Sequence, residues 1–211
     1  MRALQLGLAV LLILPAFGFF GQAATQTYVP FVGIIIDRDS GNRFSLELAP
    51  CQGNPLVGVV RGCGTASDPY VIEKLDIGRR PGLHGIDVRS TTKHVLIRDV
   101  WVRNMNTGIL IRDASNIRVE NVLVENNGDG GIQAFSSTNI MIIDSVVRSN
   151  NGDDAVVISA SDVVVRGNQI INNQFNGITV ANRLSDRVFL RNNTIANNSG
   201  AGIYFFNVGI A

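Results

Sequence analysis

The stretch NIRVENVLVENNGDGGIQAFS, residues 116–136, covers most of one repeat of this chain and decides how the rest is interpreted. Apolar and polar residues alternate within it, which is the period of a β-strand and not the 3.6-residue period of a helix. Val and Ile, which favour strands, occupy most of its apolar positions. Asn and Gly lie between the short apolar runs, where the chain must turn. The stretch therefore predicts short strands joined by tight corners.

The same pattern returns about every 23 residues over the second half of the chain. The first strand of the repeat reads HGIDVRS (84–90), TGILIRD (107–113), GGIQAFS (130–136), DAVVISA (154–160), NGITVAN (176–182) and AGIYFFN (201–207). One copy cannot bury its apolar side alone, whereas stacked copies can, each strand pairing in parallel with its equivalent about 4.8 Å away. This predicts an all-β chain, a right-handed parallel β-helix (solenoid) of about six coils with an N-terminal cap.

The chain divides into three parts by composition. Residues 1–24 have a basic start, a long apolar run and small residues at its end, which predicts a cleaved secretory signal peptide, with a retained membrane anchor as the alternative. Residues 25–68 are expected to form the cap and 69–211 the repeats, with truncation at the C-terminus left open. Cys51 and Cys63 are expected to form a disulfide, since the protein is predicted to be secreted, periplasmic or on the cell surface.

The repeats resemble a known family in both their coils and their entry segment. The coils follow the pattern G-I-x-I, then N-x-x-I, and the opening GCGTASDPYVIEKLDI (62–77) is similar to that of NosD-type β-helix proteins. Over residues 62–207 the chain thus resembles the right-handed, pectin-lyase-like β-helix superfamily. The resemblance implies the fold, but that superfamily includes lyases, hydrolases and adhesins, so it leaves the activity open.

Two adjacent columns of asparagines recur at one corner of the repeat. An inward Asn amide can hydrogen-bond the backbone of its own coil and the Asn of the next, and Asn also tolerates the left-handed backbone of a tight turn. Which column points inward is left open, and a polar ladder for sugars or ions is the alternative to a structural role. The predicted structural ladder comprises Asn126, Asn127, Asn150, Asn172, Asn173, Asn197 and Asn198.

Three aspartates, Asp129, Asp153 and Asp154, occupy equivalent turns of consecutive coils and are the candidate catalytic residues. They resemble the paired acidic motifs of the polygalacturonase family, which implies a hydrolase. The chain departs from that family at Phe175-Asn176-Gly177, where the family has a histidine motif. The alternative is that these aspartates only turn the chain. No cofactor is predicted; calcium stays open because carboxylates in turns suit a hard cation.

The outward side of the first strand column is the candidate binding surface. Aromatic rings beside polar groups suit a sugar. The leading hypothesis is a non-catalytic module that binds polysaccharide or cell-envelope glycan, and the alternatives are a polysaccharide hydrolase or lyase and a self-assembling structural repeat with an open C-terminal edge. With 18 Lys and Arg against 17 Asp and Glu, a nucleic-acid partner is not expected. The candidate ligand-binding residues are Arg89, Arg112, Gln133, Phe135, Thr179, Tyr204 and Phe206.

Overall fold

The computed structural model describes residues 28–31, 33–37, 51, 58–59, 61–181 and 187–206. The predicted signal peptide, residues 1–24, lies outside them. Every regular element in the described ranges is a β-strand, and they contain no helix long and apolar enough to cross a membrane.

The strands stack into three faces, each made of parallel strands. We name the faces A, B and C in the order in which the chain passes through them in each coil. Face A contains β2 (Ile34–Asp37), β5 (Ile86–Arg89), β8 (Thr107–Arg112), the first part of β11 (Gly130–Ile143) and of β13 (Val156–Arg166), β15 (Ile178–Ala181) and β18 (Ile203–Phe206). Face B contains β3 (Tyr70–Glu73), β6 (Val95–Arg98), β9 (Ser115–Glu120), the second parts of β11 and β13, and β16 (Val188–Arg191). Face C contains β1 (Val29–Phe31), β4 (Leu75–Gly78), β7 (Trp101–Arg103), β10 (Leu123–Glu125), β12 (Val146–Arg148), β14 (Gln169–Ile171) and β17 (Thr194–Ala196).

The register of the stacked strands follows the repeat read from the sequence. On face A the inward positions pair from coil to coil and the side chains are fully buried in all but the last coil. This column is Ile86, Ile109, Ile132, Val156, Ile178 and Ile203. Parallel pairing of every strand with its equivalent one coil away confirms the predicted β-helix.

Strand length is one difference from the short strands that the sequence predicts. β11 has 14 residues and β13 has 11, because these coils stay extended from face A into face B. The register shifts between Phe135 and Thr138, so the corner there is a bulge within one strand.

The corners explain the abundance of Asn, Asp and Ser. The corner from B to C has positive φ at Asp99, Asn121, Asp144 and Asn192, and the corner from C to A has it at Asn104, Asn126, Ser149, Asn172 and Asn197. Short polar side chains tolerate this left-handed conformation better than other non-glycine residues do. The first of the two asparagine columns therefore turns the chain.

The second asparagine column points into the coil and forms a ladder. Asn150 accepts hydrogen bonds from the backbone N–H and the Nδ2 of Asn127, at 3.1 and 2.9 Å. Asn150 in turn donates from its own backbone and Nδ2 to Asn173 Oδ1, both at 3.0 Å, and Asn173 bonds Asn198 in the same way. The buried amides thus satisfy backbone groups that the strands leave unpaired.

Arginines connect consecutive coils on all three faces. Several of them pair with an acid one coil away. The exposed pairs contribute only about 0–1 kcal/mol each, whereas Arg112–Asp87 and Arg148–Glu125 each involve a buried carboxylate. The pairs are Arg98–Glu73, Arg103–Asp76, Arg112–Asp87, Arg148–Glu125 and Arg187–Asp162.

A disulfide joins Cys51 to Cys63, as predicted. Disulfides persist in oxidising compartments and are rare in the reducing cytosol. The bond is therefore consistent with a protein that works outside the cytosol.

Candidate functional site

The corner from face C to face A brings the three candidate aspartates together on consecutive coils. The turn of Gly152 lies directly on that of the previous coil, so that a Cβ added to Gly152 would be 3.0 Å from the Cα of Asp129. Asp129 is half-buried and accepts a hydrogen bond from the Thr107 hydroxyl at 3.3 Å. The equivalence of turns seen in the sequence thus becomes physical proximity.

Asp154 is buried and uses both of its carboxylate oxygens within the coil stack. Oδ1 accepts from the backbone N–H of Asn176 at 2.8 Å, and Oδ2 accepts from the Thr179 hydroxyl. The carboxylate therefore fixes the next coil to its own, and it has little free capacity to meet a substrate.

Asp153 has the most unusual environment of the three. Its Oδ1 accepts from the backbone N–H of Asp154 at 2.8 Å, and its Oδ2 lies 3.3 Å from the Nε2 of Gln133. Burial raises the pKa of the Asp153 carboxyl above its ordinary value; the hydrogen bond from Asp154 opposes this, and the charges of Asp154 and Asp129 add to it. A carboxyl with a raised pKa beside other carboxylates is a pattern that proton donors in active sites share.

The raised pKa gives a testable dependence of stability on pH. A carboxyl whose pKa is higher in the folded than in the unfolded chain stabilises the fold below its unfolded pKa, and this contribution is lost as pH rises through the folded pKa. Asp153→Asn removes the ionised form, so we expect its melting temperature to exceed that of the wild type at about pH 7 and this advantage to shrink near pH 3. Thermal denaturation followed by circular dichroism measures both; an advantage equal at the two pH values would contradict the assignment.

The outward residues of face A form two columns with different exposure. The first is buried except at Tyr204, and corner side chains fold back over part of it: Gln133, 4% exposed, contacts Asp153, and Thr179, 7% exposed, contacts Asp154. The second column runs Arg89, Arg112, Phe135, Ser159, Ala181 and Phe206, and it is half-buried as far as Ala181 and exposed at Phe206.

The second column forms a shallow trough. The rings of Phe135 and Phe206 stand at its two ends, three strand spacings or about 14 Å apart, with the small side chains of Ser159 and Ala181 between them. Phe206 is 56% exposed and stacks on Tyr204, which is 45% exposed, with ring centroids 6.3 Å apart. The trough therefore offers aromatic surface to solvent.

The two arginines predicted to bind ligand lie at the N-terminal end of the same surface. Arg112 Nη2 is 3.0 Å from Asp87 Oδ2, and Arg89 Nη2 is 3.4 Å from the same atom. Their charge is shared with a buried carboxylate, although about a third of each side chain remains exposed. Both can still donate hydrogen bonds to a ligand from the exposed part.

Calcium has no ready-made site in the part of the chain that the structure describes. No group of three or more His, Cys, Asp and Glu side chains is arranged there to hold a metal ion. The carboxylates of Asp129, Asp153 and Asp154, which we call the acidic corner, instead accept hydrogen bonds from donors of the protein.

Face C carries aromatic and basic residues that the sequence analysis did not single out. Arg103 lies over the ring of Trp101, 3.7 Å from its centroid, and Tyr28 packs edge-on at 6.4 Å. The Trp101 Nε1 donates to Glu125 Oε1 at 2.9 Å. The only tryptophan of the chain, in the outward register of a strand, was the signal that could have pointed to this surface.

The fold agrees with one comparison with known proteins, the match to a family model. No curated protein and no solved structure matches the chain. Residues 84–210 match the family model described as "Right handed beta helix region", and since this is more than half of the sequence, the chain belongs to the right-handed β-helix family.

Proposed function

We propose that this protein is an exported, non-catalytic β-helix module that binds a polysaccharide or another cell-envelope glycan in the face A trough. The observation that carries the proposal is the pair of exposed, stacked rings of Tyr204 and Phe206, aligned with Phe135 across a floor of small side chains. Flat apolar surfaces beside hydrogen-bonding groups suit the faces and hydroxyls of sugar rings. The disulfide supports the export part of the proposal.

The lack of catalysis in this proposal follows from the acidic corner. Both oxygens of Asp154 and both oxygens of Asp153 already meet donors of the protein. Glycoside hydrolysis needs one carboxyl that donates a proton and a second that activates water or attacks the sugar. Hydrogen bonds that hold the coils together account for these aspartates without such a reaction.

Binding through the trough predicts a loss of affinity when its rings are removed. Phe135→Ala combined with Phe206→Ala is expected to weaken retention on the preferred polysaccharide about tenfold or more, since each aromatic contact contributes about 0.5–1.5 kcal/mol beyond its buried area. Pulldown against a panel of neutral and acidic polysaccharides identifies the ligand, and titration measures the change.

Phe189→Ala is the matched control, because Phe189 is 46% exposed but lies on face B. Its affinity should equal that of the wild type. An equal loss in the control and in the trough variant, or no loss in the trough variant, would reject the trough as the binding surface.

A polysaccharide hydrolase or lyase is the second candidate, and the raised pKa of Asp153 favours it. Asp153 would donate the proton, and Asp129 or Asp154 would serve as the second carboxylate. Mass spectrometry of the incubated polymers decides between the two: released oligosaccharides that disappear with Asp153→Asn would establish an enzyme, whereas intact polymer that retains the protein supports a binding module.

Self-association is a third candidate, which the exposure of the edge strand β18 favours. Among the described strands β18 pairs only with β15, and Ile203 and Phe205 of its inward register are 43% and 58% exposed. Unpaired parallel edges accept further strands. A mass that rises with concentration in sedimentation experiments would support assembly through this edge.

A further inference from the structure

The first complete turn from face C to face A departs from the rule that all later coils follow. In those coils the first corner position has φ between 54° and 56° and is Asn or Ser. Arg79 occupies the same position, directly after the residue that pairs with Arg103, and has φ 73°. Arg has no short polar side chain to ease the left-handed backbone, so it is an unfavourable residue at this corner position, as Lys74 and Arg187 are at the other two corners.

The next position departs as well. In later coils it points inward, starting with the buried Met105 and continuing with the asparagine ladder. Arg80 stands there in the first turn and is exposed. Pro81-Gly82 follows, a pair typical of tight turns. Two adjacent guanidinium groups are thus held on the outside of the corner, and neither has an acidic partner among the described residues.

Both arginines line a surface pocket of about 260 Å³ at the edge of face C. Pro30 and Phe31 form its apolar wall, and Asp76 and Gly78 complete it. The Asp76 carboxylate is neutralised by Arg103, which donates to it from Nε at 3.0 Å and from Nη2 at 2.7 Å. The pocket therefore has an excess of positive charge. Its volume is below the roughly 300–1,000 Å³ of sites for drug-sized ligands, so it suits one small group.

We infer that this pocket binds the oxyanion of an acidic sugar, a carboxylate or a sulfate ester, through Arg79 and Arg80, with the sugar ring against Pro30 and Phe31. Guanidinium groups form short, charge-assisted hydrogen bonds with such oxyanions. The choice of a sugar as carrier rests on the proposed function, but the pocket and the face A trough share no residue. The two sites can therefore fail independently.

The test compares titrations of the full chain with a uronic-acid trisaccharide, its sulfated counterpart, the neutral trisaccharide and inorganic sulfate. At least one acidic trisaccharide is expected to bind about tenfold or more tightly than the neutral one, with the preference falling as salt is raised. Arg79→Asn with Arg80→Asn is expected to abolish that preference. Since Arg79→Asn restores the residue of the other corners, its melting temperature should equal or exceed that of the wild type.

Arg166→Gln with Arg191→Gln removes two exposed charges from face B and is the matched control. It should leave the preference intact. The inference would be overturned if the wild type bound neutral and acidic sugars equally, or if the control lost the preference as fully as the Arg79 and Arg80 variant does. If inorganic sulfate bound as tightly as the acidic sugars, the claim that the oxyanion is carried by a sugar would be overturned. A preference for acidic over neutral sugars that survives Phe135→Ala with Phe206→Ala would support this pocket. If the same variant also binds the neutral sugar as the wild type does, the trough is contradicted and the pocket is not.

Discussion

Asn150→Ala is expected to lower the free energy of unfolding by about 4 kcal/mol, one of the largest effects of any single substitution in this chain. The Asn150 side chain is fully buried and accepts from two donors of Asn127, and its amide donates to Asn173 Oδ1 and, at 3.2 Å, to the carbonyl of Val124. Alanine leaves these groups without partners and without water, at roughly 1–3 kcal/mol for each group that cannot relax. Urea denaturation followed by circular dichroism measures the loss.

Asn151→Ala is the control for this experiment. Asn151 is the next residue but is exposed, and its backbone N–H, which alanine keeps, bonds Asn127. We expect a change within about 0.5 kcal/mol. Asn150→Asp keeps the accepting oxygens but loses the amide donor and buries a charge, so it should destabilise at least as much as alanine at neutral pH. A stable Asn150→Asp would show that water reaches the ladder and would contradict this account.

The fold was predictable because a parallel β-helix repeats the same physical problem in every coil. Each strand must bury alternate side chains against its neighbour's equivalents, so the period of two and the period near 23 both appear in the sequence. Ile86, Ile109 and Ile132 are aligned in the sequence and lie in register in the structure. Strand ends were less predictable, since β11 and β13 continue through the corner from face A to face B, where the strands of neighbouring coils end.

The asparagine pattern alone does not show which of the two columns points inward, although one residue of the second column does. Both columns are rich in Asn, so amino-acid type alone does not separate the turning position from the inward position. Met105 belongs to the second column and is 2% exposed. An apolar residue in one coil of an otherwise polar column indicates that the column faces the core, because Met is rarely placed at an exposed corner without a reason.

The exposure of the candidate binding surface could not be read from periodicity. A period of two assigns Gln133 and Thr179 to the outward side of face A, and both point outward in the structure. Their burial comes from the corner carboxylates Asp153 and Asp154, which fold back over the strand. The exposure of each outward side chain thus depends on how the corner beside it folds. Corner length varies between coils, so this exposure is set by the three-dimensional stack and not by the strand period.

The pocket at Arg79 and Arg80 was beyond sequence reasoning for a related reason. Its apolar wall comes from Pro30 and Phe31, about 50 residues away, in a segment without the repeat. Only the pairing of β1 with β4 brings Pro30 beside Asp76. The two arginines interrupt the corner pattern in the sequence, yet that interruption gains meaning only once the corner positions are known to be left-handed.

Gly131→Val is expected to destabilise the protein by about 3 kcal/mol or more, because it inserts side-chain volume where two coils touch. A Cβ at this position would lie 2.4 Å from Cγ1 of Val147 and 2.5 Å from the carbonyl oxygen of Ala155. That carbonyl accepts the backbone hydrogen bond of Ile132 at 2.9 Å, so relieving the clash would disturb the face A ladder. Thermal and urea denaturation should show the loss, with Gly131→Ala between wild type and valine.

Gly128→Ala separates this steric effect from the general effect of removing a glycine. Gly128 lies three residues earlier in the same corner, and a Cβ there would meet only the carbonyl oxygen of Met105, at an ordinary 3.7 Å. Alanine restricts the unfolded chain without a clash, so we expect stability to change by less than about 1 kcal/mol, in the direction of a gain. Ala155 occupies the column of Gly131 one coil later and is itself fully buried, which shows that a coil can accommodate one methyl group there when its neighbours are spaced for it. If Gly131→Val were tolerated as well as Gly128→Ala, the coils would have to separate more easily than this packing allows.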